Sequence, residues 1–484
     1  MRNRFNRRGI LLLGTALVFT IGWSAEAYAQ EQEQELAQAP MSQAQAQAPM
    51  SLEQCRDLAL EHNKQIQMAQ ADAVASDYLV QSAKTKYLPR VDFAGAWINP
   101  GDRAIRPFAI DFNIPGVTPP GLSIPLDFIS VAPREIYTGG FTLRQPIFMG
   151  GKIVEANKMA RYTSDLAHEK VKMKEADVLA TVDEAYWRVI SVQEKVNLAQ
   201  TYKSLLDHLV QDLENVYAEG MTTRNEVLKV QVKQNEAELT LVKAQNGLQL
   251  SKMLLGQIIG LEAEQIELDS TIISEEQLTS RLLALESSNA ERAEIVMLRN
   301  KLALTESARR MVKSQFLPNV FLTAGYNWIE PNIYKGSQSN LGGDWMVGIG
   351  VQVPLLTWGD RIHQVHMADQ EVAKAELELQ DAQEMITLQV QQNRFKHAEA
   401  LKKMELTKLS KEQAEENLRI TKNNLLEGMN SLRDILEAQT MWEKAASEDI
   451  DARVEAAVTL SELEKTTGAL YQYATEHTQT QEEK

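Results

Sequence analysis

Long runs of helix-forming residues alternate with short segments of two-residue periodicity along this chain. Stretches rich in Ala, Leu, Glu, Gln and Lys, and almost free of Gly and Pro, predict long α-helices. The stretches 152–218 and 361–426 would each extend about 100 Å at 1.5 Å per residue. Helices of that length exceed any globular core, so they predict a coiled coil or a helical barrel. Further helices are predicted at 51–86, 222–259, 289–315 and 430–475.

Four short segments between the helices alternate apolar residues with small or polar ones. Their length suits a tilted membrane strand, and the aromatic residues near the ends of one face are typical of a transmembrane β-barrel. An ordinary half-buried sheet has the same alternation, so that alternative stays open. The strands are predicted near 91–97, 137–145, 319–328 and 343–353, with Val91, Phe93, Trp97, Tyr137, Phe141, Leu143, Val320, Leu322, Ala324, Tyr326, Trp328, Trp345, Val347, Ile349, Val351 and Val353 on the apolar face.

Four strands cannot close a barrel, and an open sheet edge cannot face lipid, so the chain is expected to oligomerise. Two copies would give eight strands and a filled barrel, whereas three copies would give twelve strands and room for a pore. Small residues expected on the inward face favour the wider barrel: Gly139, Gly140, Gly348 and Gly350. The linkers 98–136, with seven prolines, and 329–342 are predicted to be exposed loops.

The first 50 residues are predicted to lie outside the fold. A basic segment, an apolar run at 10–23 and the sequence Ala27-Tyr28-Ala29 predict a secretory signal peptide at 1–29. The Gln/Ala/Pro-biased stretch 30–50 predicts a disordered leader, and 476–484 a flexible tail. The single cysteine, Cys55, excludes an intramolecular disulfide, and the net charge of −16 argues against nucleic acid as a partner.

The chain contains an internal duplication. Lys84–Pro89 matches Lys313–Pro318, and the Glu-Gly-Met phrase at 219–221 recurs at 427–429. Gly151 and Gly260 match Gly359 and Gly468 at the same spacing of 208 residues as the two phrases. Each half therefore reads helix, two strands, long helix, turn and helix, with a first repeat at 51–288 and a second at 289–475.

Proline and glycine mark the two ends of each half. Proline ends helices and is tolerated only at strand termini, so Pro89, Pro146, Pro318 and Pro354 are expected at the helix–strand junctions. The opposite ends are hairpin tips at 218–223 and 426–431, where Gly220 and Gly428 fit left-handed helix caps. Thr223-x-x-Glu226 and Ser431-x-x-Asp434 are predicted to form capping boxes that start the returning helices.

These features together resemble the TolC-like outer-membrane efflux family over nearly all of 51–475. The resemblance rests on the duplication, the four prolines, the tips, and the motifs GGK at 150–152 and WGDR at 358–361. It implies a mainly α chain with membrane β: a trimeric 12-stranded outer-membrane barrel, four strands per chain, continued by a long periplasmic α-helical barrel. Residues 262–288 would belong to its equatorial region, and lipid of a Gram-negative outer membrane would surround the strands.

The resemblance also implies a function. The chain would be a passive exit duct of a tripartite efflux or type I secretion system, a homotrimer opened by a periplasmic adaptor and an inner-membrane pump. The closed pore would narrow at carboxylates, namely Asp434, Glu437 and Glu226, although Glu226 and Asp434 would also satisfy the N-terminal amides of their helices. The tip residues Gly220, Met221, Gly428, Met429 and Ser431 would dock the adaptor. Leu425 and Asn430 replace a Tyr and an Arg of the family's gate.

No enzyme is predicted from the residues. His363 and His366 lie three apart on a helix, but no third ligand accompanies them, and solvated histidines are the favoured interpretation. Gly150-Gly151-Lys152 lacks the remaining residues of a phosphate-binding loop, and no nucleophile motif, cofactor site or metal site is recognised. The alternative to a duct is an exported periplasmic coiled-coil scaffold or adaptor whose strands form a sheet without a pore.

Overall fold

The computed structural model describes residues 49–99, 135–269, 292–330, 343–426 and 429–482, with positions 278, 280–282 and 285 between the second and third ranges. The signal peptide, most of the leader and the middle of both predicted loops lie outside these residues. The elements are α1 (Leu52–His62), α2 (Lys64–Thr85), β1 (Arg90–Ile98), β2 (Ile136–Met149), α3 (Lys152–Ala218), α4 (Arg224–Ile259), α5 (Ala293–Lys313), β3 (Asn319–Glu330), β4 (Gly343–Gln352), α6 (Asp360–Leu426), α7 (Leu432–Thr467) and α8 (Ala469–Glu482). The predicted mainly α fold with four strands is confirmed.

The two halves repeat each other in helix length. Helices α3 and α6 are both 67 residues long, and α4 and α7 are both 36 residues long. Each long helix packs along the shorter helix that follows it, forming two hairpins. The left-handed backbone pair before each long helix is also repeated, with φ of 61° at Gly150 and 51° at Trp358, and 88° at Gly151 and 83° at Gly359. The duplication therefore survives in backbone conformation even where glycine is replaced by tryptophan.

The predicted helix at 51–86 is divided in two at Asn63. This residue has extended backbone (φ −68°, ψ 121°), and its Oδ1 accepts the Gln65 backbone N–H at 2.9 Å to start α2. Its amide nitrogen donates to the Ile258 carbonyl of α4, also at 2.9 Å. Asn63 thus ends one helix, caps the next and ties both to the first hairpin. The sequence has no Gly or Pro at this break.

The four strands form one antiparallel sheet in the order β1-β2-β3-β4. Among the described residues, β1 and β4 have no neighbour on their outer sides, so both edges are open. A register shift between Pro146 and Phe148 makes a bulge in β2 where proline cannot donate to the ladder. None of the helices in the described ranges has an apolar stretch long enough to cross a membrane.

The strand register places the predicted apolar residues on one face of the sheet. Phe93 pairs with Phe141, Phe141 with Tyr326, and Tyr326 with Trp345. Aromatic rings meet on this face, with centroids 5.0 Å apart for Phe93 and Phe141 and 5.9 Å for Phe93 and Trp328. Most of the side chains on this face are exposed. An exposed aromatic surface that covers all four strands is suited to lipid rather than to water.

One predicted inward glycine lies on the other face. Gly140, Gly348 and Gly350 have the parity of the polar face, but Gly139 shares the apolar face with Tyr137 and Phe141. A Cβ at Gly139 would collide with the ring of its cross-strand partner Trp328. The prediction that Gly139 faces the inside of the barrel was therefore wrong. Gly139 lies on the apolar face, where the absence of a side chain makes room for the Trp328 ring.

Candidate functional site

The first hairpin tip is a glycine-capped turn. Helix α3 ends with the Gly220 N–H donating to the Tyr217 carbonyl at 2.9 Å and the Met221 N–H donating to the Val216 carbonyl at 3.0 Å. Gly220 has φ of +75°, as predicted, which is the left-handed conformation that this bond pair requires. The Met221 side chain is 69% exposed at the end of the hairpin.

The second tip repeats the backbone hydrogen bond that joins residues five positions apart at the first tip. The Met429 N–H donates to the Asn424 carbonyl at 2.8 Å, at the positions equivalent to Met221 and Val216. The Met429 side chain is 65% exposed, so each tip carries one exposed methionine. Gly428, the predicted left-handed cap, lies outside the described residues.

Only one of the two predicted capping boxes forms. Ser431 Oγ accepts the Asp434 N–H at 3.4 Å, and the Asp434 carboxylate accepts the Ser431 N–H at 2.8 Å. At the first tip the Thr223 side chain makes no cap bond, so the predicted box with Glu226 was wrong. The Glu226 carboxylate instead accepts a bond from Lys229 Nζ at 2.8 Å, one turn along α4. This local ion pair draws the carboxylate away from the N-terminal amides.

Asp434 is held ionised by its own cap. The bond from the Ser431 backbone N–H, then the bond from the Ser431 hydroxyl, lower the pKa of the Asp434 carboxyl, and the nearby Arg433 charge lowers it further. Each of these contacts favours the carboxylate over the neutral acid. Asp434 therefore carries its negative charge throughout the neutral range while it also satisfies the start of α7.

Two of the three predicted gate carboxylates line one cleft. The first turns of α4 and α7 enclose about 420 Å³, and Glu226 and Glu437 contribute to its walls together with Lys229 and Arg433. Asp434 is not among the lining residues because its carboxylate turns back to Ser431. The tip thus gathers carboxylates and cations from both halves of the duplication.

An apolar cluster between α3, α4 and α7 lies next to the tips. Leu206, Leu209 and Val210 of α3 pack with Val230 and Ala237 of α4 and Ile435 of α7. Leu425, which replaces the expected gate tyrosine, packs against the same cluster. At this position the chain therefore offers a packing contact, whereas a tyrosine would offer a hydroxyl for a hydrogen-bonded latch. Asn430 precedes the capping box, where its N–H donates to the Asn424 carbonyl at 3.3 Å.

Three of the four predicted prolines lie at the junction of the sheet and the helices. Pro89 and Pro318 immediately precede β1 and β3, and Pro354 follows the end of β4 by two residues. Pro146 differs, since β2 continues past it to Met149. The bulge at Pro146 accommodates its missing N–H, so this residue lies within the strand and the prediction of a junction there was wrong.

His363 and His366 lie in the first two turns of α6. Among the described residues, no group of three or more His, Cys, Asp or Glu side chains is placed to hold a metal ion. The functional features that the sequence reasoning missed are the Glu226–Lys229 pair and the apolar cluster beneath Leu425. The first has a local signal, an acidic and a basic residue three apart on a helix, but the second joins positions more than 200 residues apart.

Comparison with known proteins decides the family. The model of the outer membrane efflux protein family matches residues 55–261 and 284–469, which is most of the chain. The chain belongs to the outer membrane efflux protein family. It is 22% identical over 338 residues to the alkaline protease secretion protein AprF of Pseudomonas aeruginosa, covering 66% of this chain and 67% of that protein.

Solved structures of outer-membrane proteins share the fold. VceC of Vibrio cholerae superposes with a TM-score of 0.66 at 17% identity, covering 86% of this chain and 96% of that one. The CmeC outer membrane channel of Campylobacter jejuni superposes with a TM-score of 0.68 at 14% identity, covering 91% and 94%. The predicted family, its efflux function class and the outer-membrane location are confirmed.

Proposed function

We propose that this protein is the outer-membrane exit duct of a tripartite efflux or type I secretion system. Three chains form the duct, and a periplasmic adaptor together with an inner-membrane pump opens it. The duct performs no catalysis and takes no cofactor. The observation that carries the proposal is the four-stranded sheet: one face is exposed and aromatic, and among the residues that the structure describes both edges are open.

The open edges argue for the trimer. Unpaired backbone groups at β1 and β4 would be very unfavourable in hydrocarbon, so each edge needs a strand from another chain. Two chains would supply eight strands and a filled barrel. Three chains supply twelve strands, the smallest multiple of four that leaves an open lumen. The apolar face then meets lipid, and the face with Asp92, Thr142 and Thr323 lines the lumen.

The helical hairpins carry exposed apolar side chains that suit packing against neighbouring chains. Helix α4 exposes Leu228, Val232 and Leu239, and α6 exposes Leu388, Phe395 and Leu406. Exposed apolar stripes on helices of this length are unfavourable in water and suit packing against another helix. In the trimer these stripes close the helical barrel, so that the hairpins of three chains surround one tunnel.

The periplasmic entrance lies at the tips. Three copies of Asp434, Glu437 and Glu226 surround it with carboxylates, which favour the passage of cations and obstruct an open flow while the tips are close together. The tip residues Gly220, Met221, Gly428, Met429 and Ser431 meet the adaptor, because the two exposed methionines give an otherwise polar turn a deformable apolar contact. The likeness to AprF supports export of proteins, and the likeness to CmeC supports a general outer-membrane channel.

Fractionation and electrophysiology test this proposal. A duct copurifies with the outer membrane, gives a trimer that needs heat to dissociate in detergent, and conducts ions in a planar bilayer. Conductance should rise in Asp434→Ala or Glu437→Ala, because either change replaces a carboxylate side chain at the narrowest point with a methyl group and so widens the closed entrance. Release by osmotic shock as a species that never conducts would instead identify an exported scaffold.

A further inference from the structure

The junction between sheet and helices contains a basic cavity that the duct function does not require. It has a volume of about 680 Å³, is open to solvent, and is lined by the end of α2, the start of β1, the end of β2 and parts of β3 and β4. Three of its lining residues are cationic: Lys86, Arg90 and Arg144. The cavity lies at the end of the sheet far from the acidic tips.

Two of these cations are direct neighbours across the β1–β2 ladder. Arg90 pairs with Arg144 in the strand register, which places both side chains on the same, polar face. Like charges directly opposite each other on a sheet are destabilising unless something else compensates them. Arg90 Nε donates a hydrogen bond to the Asp92 carboxylate at 2.8 Å. This bond uses one of the five N–H donors of the guanidinium. Within the described residues, neither Arg144 nor Lys86 has a carboxylate partner.

Arg144 is held in place without being neutralised. Its guanidinium lies 4.5 Å from the centroid of the Phe321 ring, which also lines the cavity. A cation over an aromatic face keeps its charge and its hydrogen-bond donors. Beside it, the Gln145 side chain donates to the Tyr87 carbonyl at 2.9 Å and fixes the connection between Lys86 and β1.

The duplication shows that the fold does not need these charges. The second half has Gln315, Asn319 and Gln352 where the first half has Lys86, Arg90 and Arg144. The ladder confirms the equivalence, because Asn319 pairs with Gln352 as Arg90 pairs with Arg144.

One cation does occur at the equivalent place in the second half, and it is used differently. Arg361 is only 7% exposed and donates to the Gln315 carbonyl at 3.1 Å. It is therefore a buried structural contact rather than a charge presented to a cavity. The surplus positive charge belongs to the first half alone.

We propose that this cavity binds phosphate or carboxylate groups of molecules in the lumen. The inference rests on the proposed duct, since only there does the polar face line a passage. Three chains arrange the cavities in a basic ring where the barrel meets the tunnel, and guanidinium groups suit such oxyanions because they donate in a planar fork. Anionic cargo leaving the acidic entrance would meet this ring next.

Inorganic tripolyphosphate is the probe for a binding titration of the trimer in nonionic detergent. Wild type should bind one anion per chain. The variant Lys86→Gln, Arg90→Asn, Arg144→Gln carries the amides that the second half already accommodates, and it should bind at least tenfold more weakly. The control Lys243→Gln, Lys374→Gln, Lys408→Gln removes the same charge from exposed helix positions and should bind like wild type.

Equal weakening in both triple variants, or no binding by wild type, would overturn the proposal. Phosphatidylglycerol would be added to the micelles at the same phosphate concentration as the tripolyphosphate. If it displaced the tripolyphosphate, the proposal would also be overturned, since the ligand would then be a lipid headgroup. If the triple variant does not form trimers, Arg144→Gln alone should weaken binding at least threefold, and unchanged binding would refute the site. A trimer that conducts but binds no anion refutes only this inference, whereas binding without conduction refutes the duct.

Discussion

Arg56 of α1 and Asp183 of α3 form a buried, two-pronged ion pair. Arg56 Nε lies 2.7 Å from Asp183 Oδ1, and its terminal nitrogen contacts both Asp183 Oδ2 and, at 3.2 Å, Glu464 of α7. The Tyr473 ring of α8 covers the guanidinium at 5.3 Å. Glu464 also accepts two bonds from Arg281. One network thus connects α1 and α3 of the first half with α7 and α8 of the second half.

Removal of Arg56 should therefore destabilise the chain strongly. Arg56→Ala leaves the fully buried Asp183 charge without its partner, which typically costs about 3–5 kcal/mol. The midpoint of thermal unfolding in detergent, followed by circular dichroism, should fall accordingly. Arg419→Ala is the matched control because its pair with Glu416 is exposed, and it should leave the midpoint unchanged. Equal effects of the two variants would mean that burial of the network is irrelevant.

The unequal caps of the two hairpins make a second prediction. Ser431→Ala should destabilise the start of α7 by about 1 kcal/mol, because the serine hydroxyl caps it. Thr223→Ala should have little effect, since the equivalent threonine makes no cap bond. Hydrogen exchange of the first-turn amides measures both, and faster exchange after both substitutions would contradict the asymmetry.

Two glycines on opposite faces of the sheet should respond differently to an added methyl group. In Gly139→Ala the methyl meets the Trp328 ring, and overpacking of this kind typically destabilises by about 1–3 kcal/mol. In Gly348→Ala the methyl meets nothing within 4 Å. The temperature at which the trimer dissociates in detergent should fall for the first variant only. A fall in both would show that backbone flexibility, not the ring, determines the need for glycine.

A buried histidine should make stability depend on pH. His397 lies between α6 and α7 with Nδ1 3.1 Å from Thr459 Oγ1, while its buried Nε2 has no partner in the described residues. Burial lowers the pKa of His397 below its usual value near 6.5, and the smaller upward effects of the Ala456 backbone and Glu464 do not cancel it. Below pH ~6.5 the unfolded chain therefore takes up a proton before the folded chain does.

Stability should consequently fall as the pH drops from about 6.5 toward the lower folded pKa, and it should be insensitive to this group above 6.5. The slope of the unfolding midpoint between pH 7.5 and 5 measures the effect. His397→Gln should flatten that slope, whereas His366→Gln, at an exposed position, should not. An unchanged slope in His397→Gln would show that His397 is not the responsible group.

Elements with local signals were predictable from the sequence, and elements held by distant contacts were not. The long helices start after Gly151 and Gly359 because glycine marks those positions along the chain. The break at Asn63 has no such mark, since it depends on a bond to Ile258 in another helix. The Arg56–Asp183 pair joins positions 127 residues apart and leaves no trace in periodicity.

The candidate site was predictable to the same extent. Asp434 was correctly expected as a cap, because a capping box is a pattern within four residues. The same pattern at Thr223 gave a wrong prediction, since Lys229 competes for the Glu226 carboxylate. Each wall of the cleft is the first turn of one helix, which local sequence patterns predict. The two walls face each other only because the hairpins that contain α4 and α7 pack together, and no local pattern predicts that contact.

The closed ring of three sheets is tested most directly by a disulfide between the two open edges. Strands β1 and β4 lie three strand spacings apart in one chain, about 14 Å, which is too far for a disulfide within it. In a Cys55→Ala background, Ala94→Cys combined in turn with Met346→Cys and Gly348→Cys should give covalent trimers and nothing larger. Monomers under oxidation with every pair, or a ladder that continues beyond three chains, would contradict a closed trimeric barrel.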